Sequence, residues 1–591
     1  MVDVEVPVLI IGGGGAGLTA SMLLSGLGVE HLLVSALPTT SVLPKAHLLN
    51  QRTMEILTDC GVAPVIYDAG TPQANMAKTA FYAGFAGWPD AGRQIGILDA
   101  WGGGGTDLSW EAASPRASAN LPQIRLEPLM KTHAESLAPG AIRFGHEVTS
   151  ITNVDGGVVA TVLDRSSGAT YSVKARFALA CDGGRFVGPQ LGVEYEGLRE
   201  VGSMVSIHLS ADLSAWARDP EVLIRWIWLP HMAAMATLVP MGPSNWGPTS
   251  EEWVFHLNYS NEDPRRLSDE DVEADMRRAL GIEDHPVAIH MVTRWELMGV
   301  VASTMKVGNV FILGDAAHRH PPTGGLGLTS ATQDAHNLCW KLGLVLHGLA
   351  DDGLLDTYEA ERRPSVQQNV TNSLDSALNH IMIGDALGII DPGQDPDVAW
   401  ATVAKLWSND AADEAYREKV RCAIASQTQE FRKLNVEYGY HYDSTAVLSN
   451  GSTVRSNPDP TRIYLPSTRP GAPLPHAFVT DRRGVRRSTV DLVQPGRFLL
   501  IGGTDAAPWI TAAHALAEEF GLPLDACTIG TVSGDYLDLE CTWLTHREFT
   551  DAGAILVRPD RYVAWRSDGA AEDAQGVLAP ALQSILATTW S

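Results

Sequence analysis

The run from Gly314 to Leu328 holds the residue types best suited to chemistry in this sequence. An apolar run at 310–313 precedes it, and apolar residues at three- and four-residue spacing follow it to Leu346, so it is predicted to connect a buried strand to a long helix. Its glycines let the backbone approach a ligand, and a helix start offers N–H groups to an anion or an electron-rich atom. Asp315 is placed to accept hydrogen bonds from a polyol. The alternative is a glycine-rich connection between packed elements.

A second glycine-rich segment lies near the N-terminus. Val4 to Ile11 reads as a strand, residues 16–27 as a helix and residues 30–35 as a second strand. Between them, Gly12, Gly14 and Gly17 satisfy GxGxxG. In a strand–helix–strand setting this spacing is typical of a dinucleotide-binding turn, in which the helix N-terminus faces a pyrophosphate.

The acidic residue that usually ends the second strand of such a unit is missing here. Ser35-Ala36-Leu37 occupies its place. We expect Ser35 to offer a weaker hydrogen bond to the ribose, and Lys45 to reach the same region.

Composition narrows the class of protein. A chain of 591 residues is too long for one core, so about three or four domains are expected. The formal net charge of −26 argues against sequence-independent nucleic-acid binding and against docking on anionic lipid. The N-terminus has no basic, apolar leader, and no apolar run reaches the roughly 18–20 residues of a membrane span. Six scattered cysteines without CxxC predict neither disulfides nor a metal site. These features predict a cytoplasmic protein.

Alternating apolar and polar residues dominate the region between about 190 and 297. They predict an antiparallel sheet with one acidic helix at Asp269 to Leu280. The predicted strands are Val205 to Leu209, Ile224 to Leu229, Met235 to Val239, Trp253 to Tyr259 and Ala288 to Thr293.

The motifs together resemble a known family. GxGxxG, the Asp182-Gly183 pair after a buried strand, and Gly-Asp-Ala-Ala-His-Arg-His-Pro-Pro at 314–322 are similar to those of the single-component (class A) FAD-dependent aromatic hydroxylases. Pro-Lys-Ala-His-Leu-Leu-Asn-Gln-Arg-Thr-Met-Glu at 44–55 and Gln-Asp-Ala-His-Asn-Leu at 333–338 point to the phenol hydroxylase branch.

The resemblance implies an α/β fold with a Rossmann-like FAD-binding domain of the p-hydroxybenzoate hydroxylase type, an antiparallel β-sheet substrate domain and a C-terminal thioredoxin-like domain. The C-terminal order is predicted as βαβαββα, with helices at Trp509 to Phe520, Cys541 to Asp551 and Gly576 to Leu586. Without CxxC this domain has no dithiol chemistry. The expected divisions are 1–189 and 298–390 for FAD, 190–297 for substrate, 391–460 for a helical segment with a linker, and 461–591 for the thioredoxin-like domain.

FAD is the cofactor that the resemblance implies. Gln51 or Arg52 would lie near the isoalloxazine ring, Gln123 and Asp182 would contact the cofactor, and Asp315 would bind its ribityl chain. The remaining expected contacts are backbone groups, at Gly12, Gly14, Gly15, Ala16 and Gly17 for the pyrophosphate and at Gly325, Leu326, Gly327 and Leu328 for the flavin ring.

NADH or NADPH is the implied electron donor. The family's Asp-Gly motif usually continues with Ser and then Arg, where this chain has Phe186 and Pro189. The donor's contacts, and the choice between the two nicotinamides, stay open.

The implied reaction is hydroxylation of a phenol-like ring ortho to its hydroxyl, with O2 and a flavin C4a-hydroperoxide. By resemblance to a histidine of the family's motif, His47 is the first candidate for the base that takes the phenol proton, and imidazole suits the task because it titrates near neutral pH. Pro321 would line the cavity beside the flavin.

The predicted sheet would roof the cavity that holds a small aromatic substrate. Trp226 and Met235 are candidate liners with core packing as the alternative, and Asp212 and Arg225 are candidates for orienting the phenol. A homodimer is a further expectation. Two other functions stay open: a flavin monooxygenase or oxidase acting on a hydroxypyridine or an aromatic polyketide, and a flavin-binding scaffold without turnover.

Overall fold

The computed structural model describes residues 2–44, 46–260, 262–389, 391 and 393–590. Within them the chain forms three large sheets, and no helix there is long and apolar enough to cross a membrane.

The first sheet is built on the N-terminal strand. Val4–Ile11 lies parallel between Thr170–Ala180 and His31–Ser35, and its last four residues, Val8 to Ile11, are all apolar and buried, as expected of a central parallel strand. The strand Thr170–Ala180 is the buried strand predicted before Asp182-Gly183. The other strands are Ile142–Phe144, His146–Val154, Gly157–Asp164, Lys306–Val307 and Val310–Ile312. The covering helices include Gly15–Gly26, Gln123–Leu137 and Gly327–Leu346.

Three strand ends meet at one edge of this sheet. Ile11 pairs with Ala180, and Ala180 pairs with Ile312, all in parallel register. The loops that follow are the three motifs found in the sequence, at 12–17, 181–184 and 313–316. Ligands of open parallel sheets bind beyond the carboxyl ends of the strands, so this edge is where a cofactor site is expected.

The second sheet has eight strands and contains every alternating run predicted between 190 and 297. It also contains two strands that the sequence did not reveal, Lys78–Ala83 and Arg93–Asp99. Helix Asp269–Leu280 lies against one face, where its apolar residues join the core. The remaining strands are Tyr195–Ser210, Val222–Leu229, Ala234–Gly242, Glu252–Tyr259, Ala288–Ala302 and His318–Arg319.

The C-terminal sheet has a central parallel pair, Phe498–Gly502 and Leu524–Gly530, continued by the antiparallel strands Ala554–Val557 and Val563–Ser567. This is the arrangement expected of a thioredoxin-like core. Its other strands are Phe478–Asp481, Arg486–Ser488 and Tyr536–Leu537, and its helices are Thr489–Leu492, Ala507–Phe520, Thr542–His546 and Ala574–Ile585.

The predicted helix at 541–551 was too long. The helix ends at His546, and Glu548 takes a left-handed φ of 51°, which a continuing helix does not allow.

Helices also join the two domains of the N-terminal part to the C-terminal sheet. The 31-residue helix Thr357–Leu387 follows Gly327–Leu346, and a group of shorter helices follows it. These are Pro396–Ala404, Glu414–Ser426, Thr428–Phe431 and Leu434–Tyr438, and the other short helices of the chain are Gln51–Asp59, Ala63–Ala69, Leu108–Ala113 and Val187–Gln190.

Candidate active site

The N-terminal glycine turn is too narrow for side chains. A Cβ at Gly12, whose φ is 119°, would lie 2.1 Å from the Cys181 carbonyl oxygen, and a Cβ at Gly17 would lie 2.0 Å from the Gly12 carbonyl oxygen. Real Cβ contacts are never this short, so glycine is required for the helix to pack on the strand. The turn therefore brings bare backbone and a helix N-terminus to the sheet edge, as a pyrophosphate site requires.

This packing gives a direct prediction for cofactor binding. Gly17→Ala should yield protein with little or no bound FAD, because the added methyl group pushes the helix away from the turn. Gly26→Ala is the matched control, since a Cβ there meets nothing within 4 Å, and it should retain the flavin. The measurement is the FAD-to-protein ratio from the visible absorbance of each purified variant. Equal flavin content in the two variants would contradict the assignment.

Glu127 organises this turn and was not found from the sequence. One carboxylate oxygen accepts from the Gly15 amide at 3.1 Å and also from the Gln123 side chain, and the other accepts from the Ser41 amide at 2.7 Å. Its side chain is buried. Glu127 thus fixes the predicted residue Gln123 beside the helix N-terminus.

The two glycine-rich segments touch each other. The Leu328 side chain fills the space where a Cβ of Gly15 would lie. A Cβ added to Gly314 would lie 3.1 Å from the Ala16 methyl group, so these two residues are also close together. Residues predicted to hold opposite ends of a dinucleotide are therefore brought to one place.

Asp182 and Asp315 differ in how their side chains are used. The Asp182 carboxylate accepts from the amides of Gly184, Phe186 and Val187, so it shapes its own loop. The Asp315 side chain is exposed at the sheet edge. Arg319 links their two loops, donating to the carbonyl oxygens of Gly183 and Asp315.

The loop that contains Pro321 ends in a helix N-terminus. The first helical hydrogen bond runs from the Ser330 amide to the Leu326 carbonyl, so the amides of Leu326, Gly327 and Leu328 precede the helical ladder. Such amides stabilise negative charge. The Gly325 amide is instead used in a turn, donating to the Pro322 carbonyl at 3.0 Å.

A buried ion-pair group holds the start of the Gly314–Leu328 loop in place. The Asp334 carboxylate accepts from the Gly314 amide at 3.0 Å and from His318 Nε2 at 2.8 Å, and Arg362 Nε donates to it at 2.8 Å. All three side chains are fully buried. This ion-pair group was also missed in the sequence, because its members are far apart along the chain.

The residues after the second strand that were predicted to contact the cofactor lie in different surroundings. Ser35 is buried beside Gly13, and Lys45 lies outside the described residues. The Gln51 side chain donates to the carbonyl oxygens of residues 110 and 116. The Arg52 guanidinium pairs with Glu55 at 2.8 Å and lies over the rings of Tyr438 and Tyr562. Both side chains therefore hold neighbouring segments together.

His47 is held in a defined orientation. Its Nδ1 lies 2.5 Å from Asn120 Oδ1, while Asn120 Nδ2 donates to Thr71 Oγ1 at 2.6 Å. The short antiparallel pair Leu48–Leu49 and Ala119–Asn120 sets this geometry. Because Asn120 offers an oxygen, His47 carries its proton on Nδ1 and leaves Nε2 as the acceptor. Burial lowers the pKa of His47 and keeps it neutral near pH 7.

One face of the second sheet lies towards His47. His256 pairs across the strands with Thr237, which pairs with Trp226. Burial and, to a smaller extent, the nearby His47 together lower the pKa of His256 to about 3. His47 and the sheet thus form two sides of one site, with Gly325 packed against Leu48 on a third.

The predicted substrate residues divide between the two faces. Trp226 is buried on the His256 face, and Met235 pairs with Trp228 on that face. Arg225 adjoins Trp226 in the strand, so it points the other way, where it lies over Trp253 and donates to the carbonyl oxygens of residues 219 and 222. Asp212 is exposed and binds Ser214. Neither Arg225 nor Asp212 contributes to the His256 face.

These residues fit FAD. The glycine turn at 12–17 offers bare backbone and a helix N-terminus to a pyrophosphate, Asp315 offers a carboxylate to a polyol, and the amides at 326–328 suit an electron-rich ring. Within the described residues no cluster of three or more side chains could hold a metal ion.

Comparison with known proteins agrees with this arrangement. The FAD binding domain family matches residues 5–373, and the aromatic-ring hydroxylase C-terminal family matches residues 467–589. The chain is 33% identical to phenol 2-monooxygenase of Pseudomonas sp. (strain EST1001), over 97% of this chain and 92% of the relative. It is also 33% identical to 2,4-dichlorophenol 6-monooxygenase of Delftia acidovorans (99% and 98% covered) and to tetracenomycin A2 monooxygenase-dioxygenase of Streptomyces glaucescens (99% and 97% covered).

A solved structure matches over the whole length. The flavin-dependent monooxygenase PieE, in complex with FAD and substrate, superposes with a TM-score of 0.92 at 36% identity and covers 100% of both chains. The glycine turn, the Gly314–Leu328 loop and the second sheet therefore lie in a fold that binds FAD. The chain belongs to the FAD-dependent aromatic-ring hydroxylases and is a flavoprotein monooxygenase.

Proposed function

We propose that this enzyme uses NADH or NADPH and O2 to hydroxylate a phenol-like ring ortho to its hydroxyl, with His47 as the base for that hydroxyl. The observation that carries the proposal is the His47–Asn120 hydrogen bond. The glycine turn at 12–17, Asp315 and the amides at 326–328 would hold FAD, which would supply hydride acceptance from the nicotinamide and activation of O2. The names of the phenol and dichlorophenol monooxygenases among the relatives support the substrate class.

Asn120 sets the tautomer of His47 that can act as a base. An acceptor oxygen opposite Nδ1 fixes the tautomer with a lone pair on Nε2, and a neutral imidazole of this kind can take a proton from a phenol within hydrogen-bond reach. The resulting phenolate is a more electron-rich ring than the phenol, which favours attack by an electrophilic oxygen. Pro321, buried in the adjoining loop, would contribute an apolar wall there.

The lowered pKa of His47 predicts the pH dependence of the reaction. The base must be unprotonated, so kcat/KM should be level at neutral pH and should fall only when the pH drops through the folded pKa of His47, below the ordinary value of about 6.5. The measurement is kcat/KM between pH 5 and 9 with one phenol. A decline that begins above pH 7 as the pH is lowered would contradict a neutral, buried His47.

Anaerobic flavin reduction tests the proposed function. The holoenzyme is mixed with NADH or NADPH in the presence and absence of phenols, and the bleaching of the flavin is followed. We expect one nicotinamide to reduce the flavin, and a suitable phenol to accelerate the reduction. A flavin that neither nicotinamide reduces, with any phenol, would favour an oxidase or a scaffold instead.

We also propose that the protein lies in the reducing cytoplasm and forms a homodimer. The six free cysteines, three of them buried with raised thiol pKa values caused by desolvation, support a compartment that keeps thiols reduced.

A further inference from the structure

His380 lies beside Trp226, on the side of the same site opposite His47; this side is called the Trp226 wall. It lies on the helix Thr357–Leu387, and its ring stacks on Trp226 with 4.1 Å between ring centroids and 26° between planes. Its Nε2 lies 2.7 Å from the Glu430 carboxylate. The side chains of His380 and Glu430 are only 4% and 3% exposed.

Glu430 fixes the His380 ring. Burial alone would raise the pKa of Glu430, but His380 and Lys433 together lower it, so Glu430 is an ionised acceptor and His380 carries a proton on Nε2. The other nitrogen, Nδ1, is buried and has no hydrogen-bond partner among the described residues. Buried polar atoms are nearly always paired, so an atom held in place without a partner points to a missing ligand atom.

A second polar atom supports this reading. Trp228 lies two residues along the strand from Trp226, on the same face, and its Nε1 is also buried without a partner in the described part of the chain. The Trp226 wall thus presents both an imidazole nitrogen and an indole N–H to which a ligand could bond.

The two walls are too far apart for one ring. His256, beside His47, is separated from Trp226 by Thr237, and two strand spacings amount to about 10 Å. A single benzene ring is shorter than this strand separation, so a ring whose hydroxyl lies at His47 would leave the Trp226 end of the face open. A ligand that satisfies both must carry polar groups at the two ends of a fused system of two or three rings.

We propose that His380 Nδ1 binds a second polar group of a polycyclic phenol whose reacting hydroxyl lies at His47, and that Glu430 is the positioning residue of His380. The inference rests on the proposed function and names its substrate class as fused-ring phenols. Glu430 also accepts from the Gly324 amide at 2.9 Å, so the residue that orients His380 also anchors the loop that precedes the helix Gly327–Leu346.

Equilibrium binding to the holoenzyme tests the inference without turnover. The probes are 2,6-dihydroxyanthraquinone, which has hydroxyls at both ends of three fused rings, and 2-hydroxyanthraquinone, which lacks the distal one. Calorimetric titration should show the first binding about tenfold or more tightly, as one hydrogen bond to a desolvated group provides. In His380→Leu the two affinities should become equal, and in Glu430→Gln the preference should shrink.

The control is His146→Leu, a histidine of the first sheet that binds Tyr171 and should leave the preference unchanged. A wild-type enzyme that binds both anthraquinones equally would overturn the inference by itself, whether or not the variants fold. So would a His380→Leu variant that keeps the full preference. Failure of the proposed function appears separately, as absence of flavin reduction by NADH and NADPH, while the binding preference is still measurable.

Discussion

His47→Gln should lower kcat/KM for hydroxylation by about 10²–10⁴-fold, the usual contribution of a positioned general base. Glutamine keeps a polar side chain near Asn120 but cannot take the phenol proton at neutral pH. Steady-state oxygen uptake with a simple phenol measures the effect. FAD content and the rate of flavin reduction without substrate should be unchanged, since neither depends on this proton.

The dependence on substrate acidity separates a base from a merely structural residue. A phenol that is already ionised at the assay pH has no proton to lose, so the deficit of His47→Gln should shrink strongly with more acidic phenols. Asn120→Ala should show a smaller loss of the same kind, because it leaves the imidazole in place but frees its tautomer. A deficit that is the same for all phenols would show that His47 does not act as the base.

Arg558→Met should lower the free energy that holds the C-terminal domain to the flavin domain by about 3–5 kcal/mol, the cost of breaking a buried ion pair. Arg558 binds Glu361 through both terminal guanidinium nitrogens, at 2.5 and 2.9 Å, and also pairs with Asp560. All three side chains are essentially unexposed. Removing the guanidinium leaves two buried carboxylates, with the Lys341 ammonium paired to Glu361 and the Asn337 amide donating to both.

Urea unfolding followed by tryptophan fluorescence measures this loss as a shift of the midpoint. The matched control is Arg482→Met, which removes the exposed Arg482–Asp535 pair of the same domain, where solvent screens the interaction. The control should unfold like the wild type. If the two variants shift equally, the buried network does not hold the domains together.

Local patterns in the sequence were sufficient to predict much of the fold. The N-terminal strand, turn and helix follow from GxGxxG and its apolar flanks, because the residues that set this order are adjacent in the chain. The strand Lys78–Ala83 was missed for a physical reason. It pairs in parallel with Val222–Leu229 inside the sheet and is buried on both faces, so it shows no alternation to detect.

The site was less accessible to sequence reasoning. Glu127 contacts Gly15, and His380 contacts Glu430, across 112 and 50 residues, and no local spacing marks such pairs. The sequence does carry one signal about the substrate face. Arg225 and Trp226 are adjacent in a strand, so period-two alternation already excludes that both face the same cavity.

The most direct test of the proposed hydroxylation is the product formed under ¹⁸O2. The holoenzyme is supplied with NADH or NADPH, ¹⁸O2 and a phenol that accelerates flavin reduction, and the product is analysed by mass spectrometry and NMR. The proposed hydroxylation should place one ¹⁸O atom in each product molecule, on the ring carbon ortho to the original hydroxyl, with one nicotinamide consumed for each turnover. A product without ¹⁸O, or formation of H2O2 alone with every phenol that binds, would contradict it.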